Sequence, residues 1–226
     1  MMLSRLPLLV LTVAAVAHAG DPSSGWLSYV IAEESGTITK LSASMVVPDA
    51  PTRSGAEPAF WFGVQTAAGD GALIQPIMAK WIGDKYEAFH EIFDWTDHHD
   101  EAGEKLAVSP GDLITASVAC VDETCRAYDM ALASRDLGKQ TSYRYALEDG
   151  QSAAETTAYF VLEHQPTGCA QYPPNGRVLF TSVALEVDGE LVPEPEWRAE
   201  QESPACNSSA VVIDSQTLAI TWDAAS

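Results

Sequence analysis

Positive charge is scarce in this chain: 12 Lys and Arg stand against 32 Asp and Glu, a formal charge of −20 over 226 residues. A field of that sign repels phosphate backbones and anionic headgroups, so neither nucleic acid nor a membrane surface is an expected partner. Long apolar runs are lacking too. The longest, residues 6–17 behind Arg5, is shorter than the roughly 18 residues that a bilayer-spanning helix needs. Followed by Ala17-His18-Ala19, it reads as the apolar region and cleavage site of a secretory signal peptide. We therefore expect 1–19 to be a signal peptide and the chain to be secreted to the extracellular space. No Ser/Gly/Pro linker divides 20–226, so one domain is expected there, as a monomer.

Cysteine is limited to Cys120, Cys125, Cys169 and Cys206. No Cys-x-x-Cys pair and no suitably spaced histidines accompany them, which argues against zinc. An even number in an oxidising compartment favours two disulfides. Cys120 and Cys125 flank four residues and suit a clip across a hairpin, which leaves Cys169 with Cys206; three connectivities remain open. His98 and His99 between Asp97 and Asp100 invite a metal reading. Adjacent residues of an extended chain point apart, however, so 96–104 is expected to be a solvated loop. Neither a metal nor a cofactor is expected. Asn207-Ser208-Ser209 would accept an N-glycan in a eukaryotic source.

Helical periodicity is also missing. Short segments rich in β-branched and aromatic residues recur between turn signals about every ten residues: 26–31, 37–47, 59–64, 72–81, 86–95, 105–108, 113–120, 126–132, 141–147, 156–164, 178–187 and 211–222. That rhythm predicts an all-β fold, a two-sheet antiparallel β-sandwich. Within 156–164 (TTAYFVLEH), alternation places Thr157, Tyr159, Val161 and Glu163 on one face. A carboxylate ending such a strand is costly to desolvate without a partner, which makes Glu163 the first candidate. Residues 72–81 place Leu73, Gln75, Ile77 and Ala79 together, and Pro76, lacking an N–H, argues for an edge or a bulge. Residues 86–95 place Glu87, Phe89, Glu91, Phe93 and Trp95 on one face. Two carboxylates among three aromatics suit a binding groove.

In order and spacing these segments resemble the glutamic peptidases (eqolisins), a family of concanavalin A-like β-sandwiches. Trp61-Phe62-Gly63-Val64 is similar to the family's Trp-x-Gly-[Ile/Val] strand, and Leu73-Ile74-Gln75 stands where its catalytic glutamine lies. Tyr86-x-Ala88-Phe89-x-Glu91 resembles Tyr-x-Ala-Trp-x-Glu, and Ala158–Glu163 resembles Ala-Glu-Trp-Ile-Val-Glu, which ends on the catalytic glutamate. Gly176-x-Val178-x-Phe180-Thr181 matches the motif that follows. The separation of Gln75 and Glu163, 163 − 75 = 88 residues, is close to the family's. The chain departs from the family at Pro76-Ile77, where glycine is usual; at Phe89, for a tryptophan; at Tyr159, for a glutamate; and at Gln65 and Ala79, for aspartates. Trp26 also follows the signal peptide too soon to leave room for the propeptide of fungal members.

The resemblance implies an acid endopeptidase acting on polypeptides. Glu163 would take a proton from a water and later protonate the leaving amine, while the Gln75 amide would donate to the oxyanion. A free glutamate titrates near 4.3, so little tuning would be needed for work in acid. Trp61, Glu87, Phe89, Glu91 and Tyr159 are the expected substrate-binding residues. Two rivals come from other classes. The same aromatics and carboxylates would suit a non-catalytic, lectin-like sandwich binding carbohydrate or peptide. A glycoside hydrolase using Glu87 and Glu91 ranks last: four strand residues separate them by about 13 Å, beyond the usual acid/base spacing.

Overall fold

Strands form nearly everywhere that alternation and turn chemistry call for them. The computed structural model describes residues 25–66, 71–95, 99–148, 151 and 154–224; the expected signal peptide, Asp97 and His98 lie outside the described residues. The first half holds β1 (Trp26–Glu33), β2 (Ile38–Val46), β3 (Ala59–Thr66), β4 (Ala72–Ile82), β5 (Lys85–Asp94), β6 (His99–Ala102), β7 (Leu106–Val108) and β8 (Leu113–Cys120). The second holds β9 (Ala127–Ser134), β10 (Lys139–Ala146), β11 (Glu155–Glu163), β12 (Arg177–Val187), β13 (Glu190–Leu191), β14 (Arg198–Gln201), β15 (Ser209–Asp214) and β16 (Thr217–Thr221). Two sheets result, both antiparallel. One runs β14-β1-β11-β3-β4-β5-β6 with β7 also on β5; the other runs β10-β9-β8-β2-β12-β16-β15 with β13 on β12. The two-sheet sandwich is thus as the sequence predicts.

The main core lies between the sheets and includes Leu27, Phe60, Phe62, Phe160, Phe180 and Trp222. Both expected disulfides are present, Cys120–Cys125 and Cys169–Cys206. The second ties the segment after β11 to the one entering β15, and so links the two sheets.

Three expectations are corrected and one pair of alternatives is resolved. Residues 99–102 are not loop but the strand β6, paired with β5. Residues 211–222 are not one strand but the end of a hairpin, β15 and β16, turned where the Asp214 side chain accepts the Gln216 N–H at 2.9 Å. Of the two alternatives for Pro76 the edge fails, because β4 is interior, and the irregularity holds: Pro76 faces His90 of β5, pairs with no residue of β3, and the register slips just beyond it. Ala79 does not share the Gln75 face. The register slips between Ile77 and Lys80, an irregularity that carries Met78 and Ala79 together into the inner core.

Candidate active site

The first sheet is buried on both faces. All eight residues of β3 and the first eight of β4 are buried, and a second apolar cluster covers the outer face: Trp26, Trp61, Leu73, Ile77, Phe89, Tyr159 and others. Its aromatics meet edge to face, Trp26 against Trp61 at 5.0 Å and against Tyr159 at 5.2 Å. Such contacts fix ring positions as well as adding about 0.5–1.5 kcal/mol each. On this platform lies a hollow of about 180 Å³ lined by Gln75, Glu91, Glu163, Lys80, Asp100, His164 and the aromatic rings of Trp26, Trp61, Phe93 and Trp95.

Glu163 is the last residue of β11, opposite Ala59 of β3 and Trp26 of β1. The small Ala59 leaves its side chain room. Trp61 Nε1 donates to Glu163 Oε2 at 3.0 Å. Beyond it the strand stops, because His164 adopts a left-handed backbone (φ 75°) held by its N–H on Gly25 O at 2.9 Å and by the Tyr172 hydroxyl on its carbonyl at 2.8 Å. Burial raises the Glu163 carboxyl above its ordinary range. The Trp61 N–H and Lys80 oppose the shift, and Asp100 adds to it. The rise is what desolvation of a carboxylate at this strand end predicts.

Gln75 lies on β4 beside Glu91 of β5, its cross-strand neighbour. Its Nε2 donates to Glu91 Oε1 at 3.1 Å, while its own Oε1 is buried and makes no hydrogen bond among the described residues. Gly63 of β3 gives Gln75 its place: a Cβ there would sit 2.8 Å from the Ile74 carbonyl and 3.1 Å from Gln75 Cβ. Only glycine permits that approach. Burial is the main reason the Glu91 carboxyl is pushed up to about 7; Asp100 and Glu163 raise it further against Lys80 and Lys105. His164 is driven the other way, to about 4, by burial and then by Lys80, so its ring is neutral above that pH.

Of the expected binding residues, Glu91 and Trp61 join the hollow; Glu87, Phe89 and Tyr159 do not line it. Glu87 is held by Lys85 at 2.8 Å and Lys105 at 3.1 Å, which keep its carboxyl below the usual range. Phe89 is buried, with the Lys105 ammonium 5.2 Å from its ring centre. Tyr159 is buried too, and its hydroxyl accepts from Gln65 Nε2 at 3.0 Å, while Gln65 Oε1 accepts from Trp95 Nε1 at 3.1 Å. Sequence reasoning missed Lys80, Asp100 and His164. Lys80 arrives through the β4 irregularity, Asp100 through β6, and His164 through a left-handed turn. Among the described residues, no three His, Cys, Asp or Glu side chains gather as a metal site. A larger concavity of about 430 Å³ on the other sheet, between Thr115 and Gln140, is lined by no titratable group.

The model of the Peptidase A4 family matches residues 24–222. Among solved structures, scytalido-glutamic peptidase with a transition-state analogue inhibitor is similar at 21% identity and a TM-score of 0.64, covering 88% of this chain and 98% of that one. SCP-B, an eqolisin in complex with the tripeptide Ala-Ile-His, matches at 21% identity and a TM-score of 0.62 over the same shares, 88% and 98%. Aspergilloglutamic peptidase from Aspergillus niger matches at 15% and 0.55, over 74% and 99%. No curated protein matches the chain.

Proposed function

The chain belongs to the Peptidase A4 family, and from that premise we propose that it is a secreted endopeptidase of acidic medium working through Glu163 and Gln75. The observation that carries this reading is that two polar side chains 88 residues apart in sequence (163 − 75) line one small hollow set in an aromatic-rich sheet face. Ionised Glu163, steadied by the Trp61 N–H, takes a proton from water as the oxygen attacks the scissile carbonyl. Gln75 Nε2, whose second N–H is free of Glu91, donates to the oxyanion. Protonated Glu163 then passes its proton to the departing amine. The raised Glu163 carboxyl sets the acid limit: the base is lost as pH falls through its titration, at a higher pH than an unperturbed glutamate would give.

Secretion is supported by the apolar segment 6–17 and fits two disulfides. The substrate is a polypeptide, bound by a monomer whose charge of −20 keeps nucleic acid and anionic membranes away. Digestion of denatured casein between pH 3 and 8 tests the assignment. Glu163→Gln should lower kcat by at least about 10³-fold at every pH, and Gln75→Ala by about 10²–10³-fold. Full activity in either variant would overturn the dyad. Binding of a glycan with no cleavage of any protein would favour the lectin-like reading.

A further inference from the structure

Glu91 is a buried carboxyl in the hollow for which the water-activating chemistry gives no task. It is the cross-strand neighbour of Gln75, and one of its oxygens, Oε1, accepts the Gln75 amide. Its other oxygen, Oε2, makes no hydrogen bond to the described residues, and the side chain lines the same hollow as Glu163. We propose that Glu91 acts as a neutral carboxylic acid whose Oε2–H is a second donor to the oxyanion, beside Gln75 Nε2. This inference rests on the peptidase reading of Glu163 and Gln75.

Three considerations lead there. A neutral carboxyl accepts through its carbonyl oxygen, so the hydrogen bond from Gln75 to Oε1 leaves the proton on Oε2. A single donor satisfies an oxyanion poorly, and preorganised pairs of donors in a water-poor site are the effective arrangement. An ionised Glu91 would instead set a negative charge beside the negative charge forming in the transition state. Only the neutral form is compatible with turnover.

The surroundings keep it neutral. Asp100 of β6 and Glu163 of β11 face it with like charge, Lys80 of β4 and Lys105 beyond β6 oppose them, and burial outweighs both, so the proton is held until about pH 7. Glu163 keeps the Trp61 N–H on its oxygen, a contact that favours its anion. Two carboxyls in one hollow thus divide the work, one as base and one as acid-form donor, as their environments dictate.

Glu91→Gln and Glu91→Ala separate this role from packing. Glutamine keeps an acceptor oxygen for Gln75 and places an N–H where the acid O–H stood, at every pH. The expected result is that Glu91→Gln retains kcat within about tenfold in weak acid, while the alkaline fall near pH 7 moves upward. Glu91→Ala should lose about 10²-fold in kcat, with KM changed less than about threefold. Equal losses in both variants, or an alkaline limb still near pH 7 in Glu91→Gln, would overturn the donor role. A readout independent of turnover is the carbon-13 titration of the Glu91 carboxyl in the wild-type protein, assigned by its absence from Glu91→Gln. A midpoint near the free value of about 4.3 would also overturn it. If Glu163→Gln is inactive while Glu91→Gln behaves as Glu91→Ala, the second donor fails alone. If Glu163→Gln remains active, the base assignment fails whatever Glu91 does. A wild-type protein that cleaves nothing removes both.

Discussion

The two outer faces of the sandwich are built by opposite rules. On the β8–β10 sheet, burial alternates along the strands, and the outward positions are small or polar: Thr115, Ser117, Gln140, Ser142. This is how an antiparallel sheet with one wet face reads. On the β3–β4 sheet the outward positions are Trp61, Leu73 and Ile77, buried against one another, with Gln75, Glu91 and Glu163 set among them. The same backbone pattern therefore offers two dielectric environments. Glu91 and Glu163 on the second face are pushed toward their neutral forms by burial, while a carboxyl on the first would keep company with water.

That contrast can be broken by titration. The Glu91 carboxyl, moved from an ordinary 4.5 to about 7, corresponds to about 3 kcal/mol between its two protonation states. Its folded value lies above its unfolded one, so the stabilisation is full below about pH 4 and is lost as pH rises through 7. Thermal unfolding at pH 4 and pH 8 should show this fall in the wild type, and a clearly smaller one in Glu91→Gln. Equal falls would mean that the apolar face does not set the proton.

Next in size is the contrast between two glycines. Gly63→Ala forces a Cβ into the Ile74 carbonyl and against Gln75, and should lower kcat by about 10²-fold by displacing the amide. Gly138, in the β9–β10 turn, has φ 62° and nothing within 4 Å of an added Cβ. Gly138→Ala should cost stability alone, about 1 kcal/mol, with kcat intact. Steady-state kinetics and denaturant unfolding on both variants check the pair. Trp61→Phe removes the N–H that favours the Glu163 anion, so the acid limb of the kcat profile should move up by about one pH unit. Smallest of all, Thr115→Glu on the wet face should change stability by less than about 0.5 kcal/mol and leave the pH profile where it was.

Much of this arrangement was legible residue by residue. Alternation along 156–164 and 86–95 placed Glu163 and Glu91 on the correct faces, and motif order brought Gln75 toward them. What could not be read was anything set by a neighbouring strand. The slip after Ile77 that turns Lys80 into the hollow depends on pairing with both β3 and β5. Glu87 shares a face with Glu91 yet is claimed by Lys85 and Lys105, the second from a different segment. The β15–β16 hairpin was missed because its turn uses the Asp214 side chain in place of a glycine or proline.

The Trp95–Gln65–Tyr159 hydrogen bonds bear on how this molecule answers to acidity. Where the glutamic peptidases carry two acids, this chain carries an amide and a phenol bonded to each other. An amide does not ionise, and an ordinary phenol does so only near pH 10. That wall takes no part in the acid response, which falls on the groups of the hollow beside it: Glu91, Glu163 and His164.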